Sequence, residues 1–220
     1  MKASTIVTEI GRQLNDLTQT RWPIDDLLGY LTEASRQLVM IQPRANPAVI
    51  SVKLAASDTL QNLPDDASSL IDITRNMGAD GKTPGQVITV ADRQALDGLN
   101  ANWHSATGSA VIDNYTYDDR SPLTFYVSPP PAATPAVYVE MVYAIQPKDV
   151  TSVGDDLDIL DVYQGAIVEY MLYRCLTVNA KSEPDRQAAK EHLSYFYMML
   201  DAKDKATMLM TPNNPNNVMG

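Results

Sequence analysis

The spacing of apolar residues changes period twice along this chain, and that double change restricts its possible folds more than any other feature. Near the N-terminus Ile6, Ile10, Leu14 and Leu17 recur at helical intervals. They share one face of a helix over residues 4–17, with Ser4 or Thr5 as N-cap. The segment TQTRWP interrupts the pattern, and Pro23 then opens a second helix whose first turn holds Asp25 and Asp26, where acids suit the positive end of the dipole. Ile24, Leu27, Leu28, Leu31, Leu38 and Ile41 continue the stripe until Pro43 and Pro47 end it. Two amphipathic helices on a short loop read as an antiparallel hairpin.

After Pro43 the texture becomes β-rich. Val49–Leu54 and Leu70–Ile73 read as short strands, LPDDASS as a turn, and Val87–Val90 as a strand after a Gly/Pro loop. Asp92 can cap a short helix from about Arg93 to Asn100. Three stronger strands follow: Ala110–Asp118, Leu123–Val127 and Ala136–Ile145. Short strands between turn signals predict a small antiparallel sheet module, and SPPPAATPA predicts a rigid extended link within it. Helical spacing returns near Asp161. The stretch DVYQGAIVEYMLYRCL is apolar around most of its circumference, so it must be covered by its own chain or by neighbouring subunits. Ile167, Tyr170 and Met171 are expected there as bundle or subunit-interface residues. Pro184 opens the last helix, where Ala189, Leu193, Phe196 and Leu200 form a narrow seam, Leu193 and Phe196 joining the same interface set.

The expected fold class is α+β: a helical bundle from the N- and C-terminal helix pairs, a central β-rich insertion and an extended C-terminal arm. The boundaries are 1–43, 44–148, 149–206 and 207–220. The arm, ending TPNNPNNVMG, is too polar and Pro-rich to build a core. Docked on another protein it could be held by main-chain hydrogen bonds and by Met208, Met210, Val218 and Met219, with Pro212, Pro215 and Gly220 in the same stretch.

With 220 residues, 45% of them hydrophobic and 20% charged, the chain can bury a core without disulfide or metal. Cys175 is the sole cysteine, which excludes an intrachain disulfide and CxxC zinc spacing and suits a reducing cytosol. The N-terminal segment lacks a signal peptide's apolar run, and no span suits a membrane. A formal charge of −10 argues against tight nucleic-acid binding, while leaving DNA free to pass nearby.

Candidate chemistry is thin. The pairs Asp25/Asp26, Asp65/Asp66, Asp118/Asp119 and Asp155/Asp156 could supply carboxylates to a hydrolase, but adjacent acids do not give the separation and unlike environments glycosidases need. Cap and turn chemistry accounts for the first two pairs. The run Asp155, Asp156, Asp158, Asp161 lacks the glycine and twelfth-position glutamate of a calcium loop. His104 and His192 have no GxSxG elbow to serve, and no GxGxxG, P-loop or HExxH occurs. Tyr115, Tyr117, Tyr126, Tyr138 and Tyr143 suit a carbohydrate platform less well than packing across a sheet or interface. Neither catalytic, metal nor cofactor residues are assigned.

Two stretches nonetheless resemble a known family. One is Arg21-Trp22-Pro23 with Leu27 to Ala34; the other runs from Val142-Tyr143 through Leu160 and Ala166 to Arg174, then to Ala189 and His192. In order along residues 5–200 they resemble head-to-tail adaptor (connector) proteins of tailed phages. The resemblance implies a structural virion protein at the head–tail junction, assembled in host cytoplasm, forming a ring of about twelve copies by heterologous contacts. Its implied partners are the portal, a tail or nozzle protein and its own copies, with DNA passing through the channel unbound. A C-terminal arm reaching the portal fits residues from about 205 to 220. A virion-associated peptidoglycan hydrolase and a tail-accessory carbohydrate-binding module are the competing readings.

Overall fold

The computed structural model describes residues 1–178 and 183–210, the last five by backbone alone. The protein is α+β and divides into two compact units, residues 1–45 with those from 147 onward, and residues 46–146.

The helical unit begins with α1 (Ala3–Gln13), shorter than its periodicity predicts. Asn15 adopts a left-handed φ of 52°, and the Asp16 carboxylate accepts the N–H groups of Thr20, Arg21 and Trp22. This side-chain turn outcompetes another helical turn, leaving Leu17 exposed. Neither Ser4 nor Thr5 is the N-cap. Lys2 is, without a side-chain bond, and the carbonyls of Asp155 and Val153 take the Ala3 and Ser4 N–H groups instead. Helix α2 (Ile24–Ile41) begins after Pro23 with Asp25 and Asp26 in its first turn. Both helices pack on α4 (Gln164–Val178), which also lies along α5 (Glu183–Met210).

Helix α4 is the apolar-all-round segment, and its own unit covers it. Ala166, Ile167, Val168, Tyr170, Met171, Leu172 and Cys175 are all buried. Each large apolar side chain there contributes about 1.5–3 kcal/mol of transfer free energy. Trp22 is buried too and donates its indole N–H to the Cys175 carbonyl at 3.3 Å. Helix α5 turns Ala189, Phe196 and Leu200 inward, with Leu193 half-buried. It continues four residues beyond the expected start of the arm, because Ala206, Met208, Leu209 and Met210 are good helix formers and the first breaker is Pro212.

The second unit is built from two four-stranded sheets. One orders β1 (Pro47–Lys53), β8 (Tyr138–Ile145), β3 (Ala67–Met77) and β4 (Pro84–Val87), all antiparallel. The other orders β2 (Leu60–Asn62), β7 (Thr124–Ser128), β6 (Asn114–Tyr117) and β5 (Thr89–Val90). Its β5–β6 pair is parallel, contrary to the wholly antiparallel expectation. A single cluster of buried side chains joins them, with Leu70, Ile73, Val139, Met141 and Tyr143 from one sheet and Tyr115, Phe125 and Val127 from the other.

The predicted strand over Val87–Val90 is divided between sheets. Ile88 turns into the core, β4 pairs with β3, and β5 crosses to β6. Residues 110–113 precede β6 without joining it, and β2 had no readable alternation. Helix α3 (Arg93–Leu99) starts at Asp92, whose carboxylate accepts the Gln94 and Ala95 N–H groups as expected. Among the described residues no helix is long and apolar enough to cross a membrane.

Candidate interaction surfaces

The residues expected at a bundle or subunit interface lie inside the helical unit. Ile167, Met171 and Phe196 have no exposed surface, and the Tyr170 ring meets Phe196 edge-on at 5.2 Å. The Tyr170 hydroxyl donates to Glu33 at 2.9 Å, and Arg174 donates to the same oxygen at 2.8 Å. Burial, then the Glu33 carboxylate, pushes the Tyr170 hydroxyl well above the ordinary phenol range. The Arg174 guanidinium also lies 5.4 Å from the centre of the Tyr30 ring. His192 Nδ1 lies 2.7 Å from Glu169. The residues carrying the family resemblance therefore meet one another, Glu33 with Tyr170 and Arg174, and Glu169 with His192. Their role is to join helices. Of the expected arm, Met208 and Met210 fall on the last turn of α5. Pro212, Pro215, Val218, Met219 and Gly220 lie outside the described residues.

Several of the polar groups that suggested chemistry make structural bonds. Asp66 accepts the Tyr143 hydroxyl at 3.1 Å and Asp72 that of Tyr115 at 2.8 Å, so both rings sit in the sandwich core. Asp118 accepts the Arg120 N–H, and Asp97 the Trp103 indole N–H. Asp155 accepts the N–H groups of Thr151 and Ser152, which hold its carboxyl below the usual range and make it a poor proton donor. His104 bonds Thr59 and stacks on Trp103 at 3.7 Å. Among the described residues no group of three or more His, Cys, Asp or Glu side chains could hold a metal ion. Burial pushes the Cys175 thiol up to about 12, which makes it a poor nucleophile.

One cleft of about 850 Å³ opens in the sheet unit between α3 and the β6–β7 region. Arg93, Asp97, Asp119, Arg120, Tyr117 and Tyr126 line it. Acids and bases both line its wall, and Arg93 sits 5.8 Å from the centre of the Tyr126 ring. Tyr117 spends its hydroxyl on the Pro122 carbonyl at 3.1 Å. This is not a row of open aromatic faces.

Apolar side chains also stand exposed on both units. On α5, Tyr195, Met198 and Met199 are 43–56% exposed and share one stripe at i, i+3 and i+4. The same spacing is readable in the sequence beside the inward seam, but the stronger signal of α4, apolar around most of its circumference, outweighs it there. On the sheet unit Val49, Val87 and Val90 are exposed on edge strands.

Polar side chains that join one helix to another, with apolar stripes left exposed on a helix and on sheet edges, are features of a structural, surface-recognition protein. Residues 1–216 match the model of the SU10 adaptor protein family, and the chain belongs to that family. It is accordingly a phage adaptor protein, a component of the virion. No curated protein matches the chain.

Proposed function

We propose that this adaptor forms a ring that joins the portal to the tail or nozzle and lines the channel through which DNA leaves the head. The observation that carries the reading is the family match over nearly the whole chain, residues 1–216. In this reading α1, α2, α4 and α5 form one bundle, and residues 46–146 are an insertion into it. The insertion's two ends adjoin on neighbouring strands, since the Ile145 N–H donates to the Asn46 carbonyl. Such an element can be added without displacing the helices that flank it.

Lateral contacts in a closed ring are heterologous, so two different patches of each copy meet. Because α4 is covered from within, the exposed Tyr195, Met198 and Met199 stripe of α5 supplies one of them. The net charge of −10 gives the channel a wall on which DNA does not stick. The end of α5 and the residues after it, from Met208 and Met210 to Pro212, Pro215, Val218, Met219 and Gly220, bind the portal.

Deleting residues 211–220 spares all of α5. The truncated protein is expected to keep wild-type circular dichroism and to lose co-sedimentation with portal-containing heads. Normal attachment would refute the arm. Electron microscopy of the complex with full-length protein counts the copies, and a stack without rotational closure would refute the ring.

A further inference from the structure

Sheet edges invite added strands, and proteins blunt them with shortness, proline, bulges or charge. Three of the four edges here are blunted. Strand β2 has three residues, β5 has two, and β4 is a Pro-Gly strand whose pairing shifts register. The fourth edge, β1, is different. It pairs with β8 over seven consecutive positions without a bulge, and its only charge is the terminal Lys53.

The bonding pattern shows what this edge offers. The Ile145 N–H donates to Asn46 and the Leu54 N–H to Val137. Even-numbered residues therefore carry the ladder to β8, and odd-numbered residues aim their backbone groups outward. Among the described residues nothing accepts the outward N–H groups of Val49, Ser51 and Lys53, and Pro47 has none. The even side chains, Ala48, Ile50 and Val52, pack on the sandwich core yet stay only half-buried. Apolar surface thus lies beside backbone that no other described strand pairs with.

We propose that β1 pairs antiparallel with β1 of a second copy, centred on Ile50. This centring aligns the whole strand. It puts Ile50 opposite Ile50, Ala48 opposite Val52, Val49 opposite Ser51 and Pro47 opposite Lys53. Apolar residues meet on the core side, and the two lysines lie at opposite ends. About six main-chain hydrogen bonds form between the outward odd residues. A slip by one residue would turn the apolar set to the wrong face. The joint is isologous, so it makes a closed dimer and is separate from any ring contact. It covers the open edge while the adaptor is free.

The test uses the full-length protein without portal. Sedimentation velocity is expected to show a concentration-dependent monomer–dimer equilibrium, weak because one strand pair buries well under about 1,000 Å². At a non-hydrogen-bonded pair the Cα atoms lie about 4.5 Å apart, within disulfide range. Ile50→Cys should therefore give a disulfide-linked dimer on mild oxidation, whereas the wild type, with only buried Cys175, should not. Val49→Lys with Ser51→Lys opposes like charges twice and should weaken the dimer about tenfold. Val49→Glu with Ser51→Lys opposes unlike charges in this register and should keep it. These two positions are solvent-facing, so both variants should melt as the wild type does. A monomer throughout the micromolar range, an uncross-linked Ile50→Cys protein, or equal behaviour of the two charge variants would each overturn the proposal.

Discussion

Asn76 lies buried between the two sheets with its amide fully used. Its Oδ1 accepts the Ile112 N–H at 2.8 Å, and its Nδ2 donates to the carbonyls of Ile112 and Gln86. One side chain thereby imitates a strand at a place where no strand runs. Asn76→Ala would strand the Ile112 groups away from water, and a loss of about 2–3 kcal/mol is expected in urea unfolding. Cys175, with its thiol pushed up to about 12, holds about one part in ten thousand as thiolate at pH 8. It should resist thiol reagents in the native protein and react once denaturant exposes it. Asp80 is opposite in character, an exposed carboxylate fixed by the N–H groups of Lys82 and Thr83 and the Thr83 hydroxyl, which lower it from 3.8 to about 2. A depressed folded value means the ionised form steadies the β3–β4 turn above about pH 4 and the support disappears as pH falls through about 2. Hydrogen exchange at Lys82 and Thr83, corrected for intrinsic rates, should rise across that window in the wild type and show no such step in Asp80→Asn.

Among the elements, β3 shows why a strand can be invisible to an alternation rule. Its pairing with β8 slips at three places, and its buried residues fall at Ala67, Leu70, Ile73 and Asn76. Each irregularity adds a residue on one strand, which converts a period of two into three and increases the twist. Only the Leu70–Ile73 portion was legible, because no local rule marks where a partner strand will fall out of step. The helices were easier. Their periodicity survives any arrangement of neighbours, and the differences were confined to ends such as Leu17, where the Asp16 turn intervenes, and Met210, where the helix outran the expected arm. Helix α4 was legible as needing cover on all sides, but its sequence did not say whose. Since its own unit supplies that cover, Met171→Ala should cost about 2–5 kcal/mol in thermal or urea unfolding of the free protein. Tyr195→Glu, on the exposed stripe of α5, should change stability by no more than about 0.5 kcal/mol. If that stripe is the ring contact, the same variant should fail to assemble on portals.

At the scale of the whole molecule, the two units each close around a core of their own. The sheet unit starts at Asn46 and finishes at Gln146, whose N–H donates to the Asp66 carbonyl within the same unit. Expressed alone, residues 46–146 should fold, giving dispersed amide resonances and cooperative melting; a molten spectrum would show that the helices are needed. The order of helical, β-rich and helical segments, the cap at Asp92 and the inward seam of α5 followed from the sequence by itself, because propensity, capping and periodicity act over a few residues. Sheet order, the crossing of the chain at Ile88, the bulged course of β3 and the open edge of β1 came only with tertiary structure. They depend on which distant backbone satisfies each N–H and C=O, and hydrogen bonds between residues far apart in the chain leave no local periodic trace.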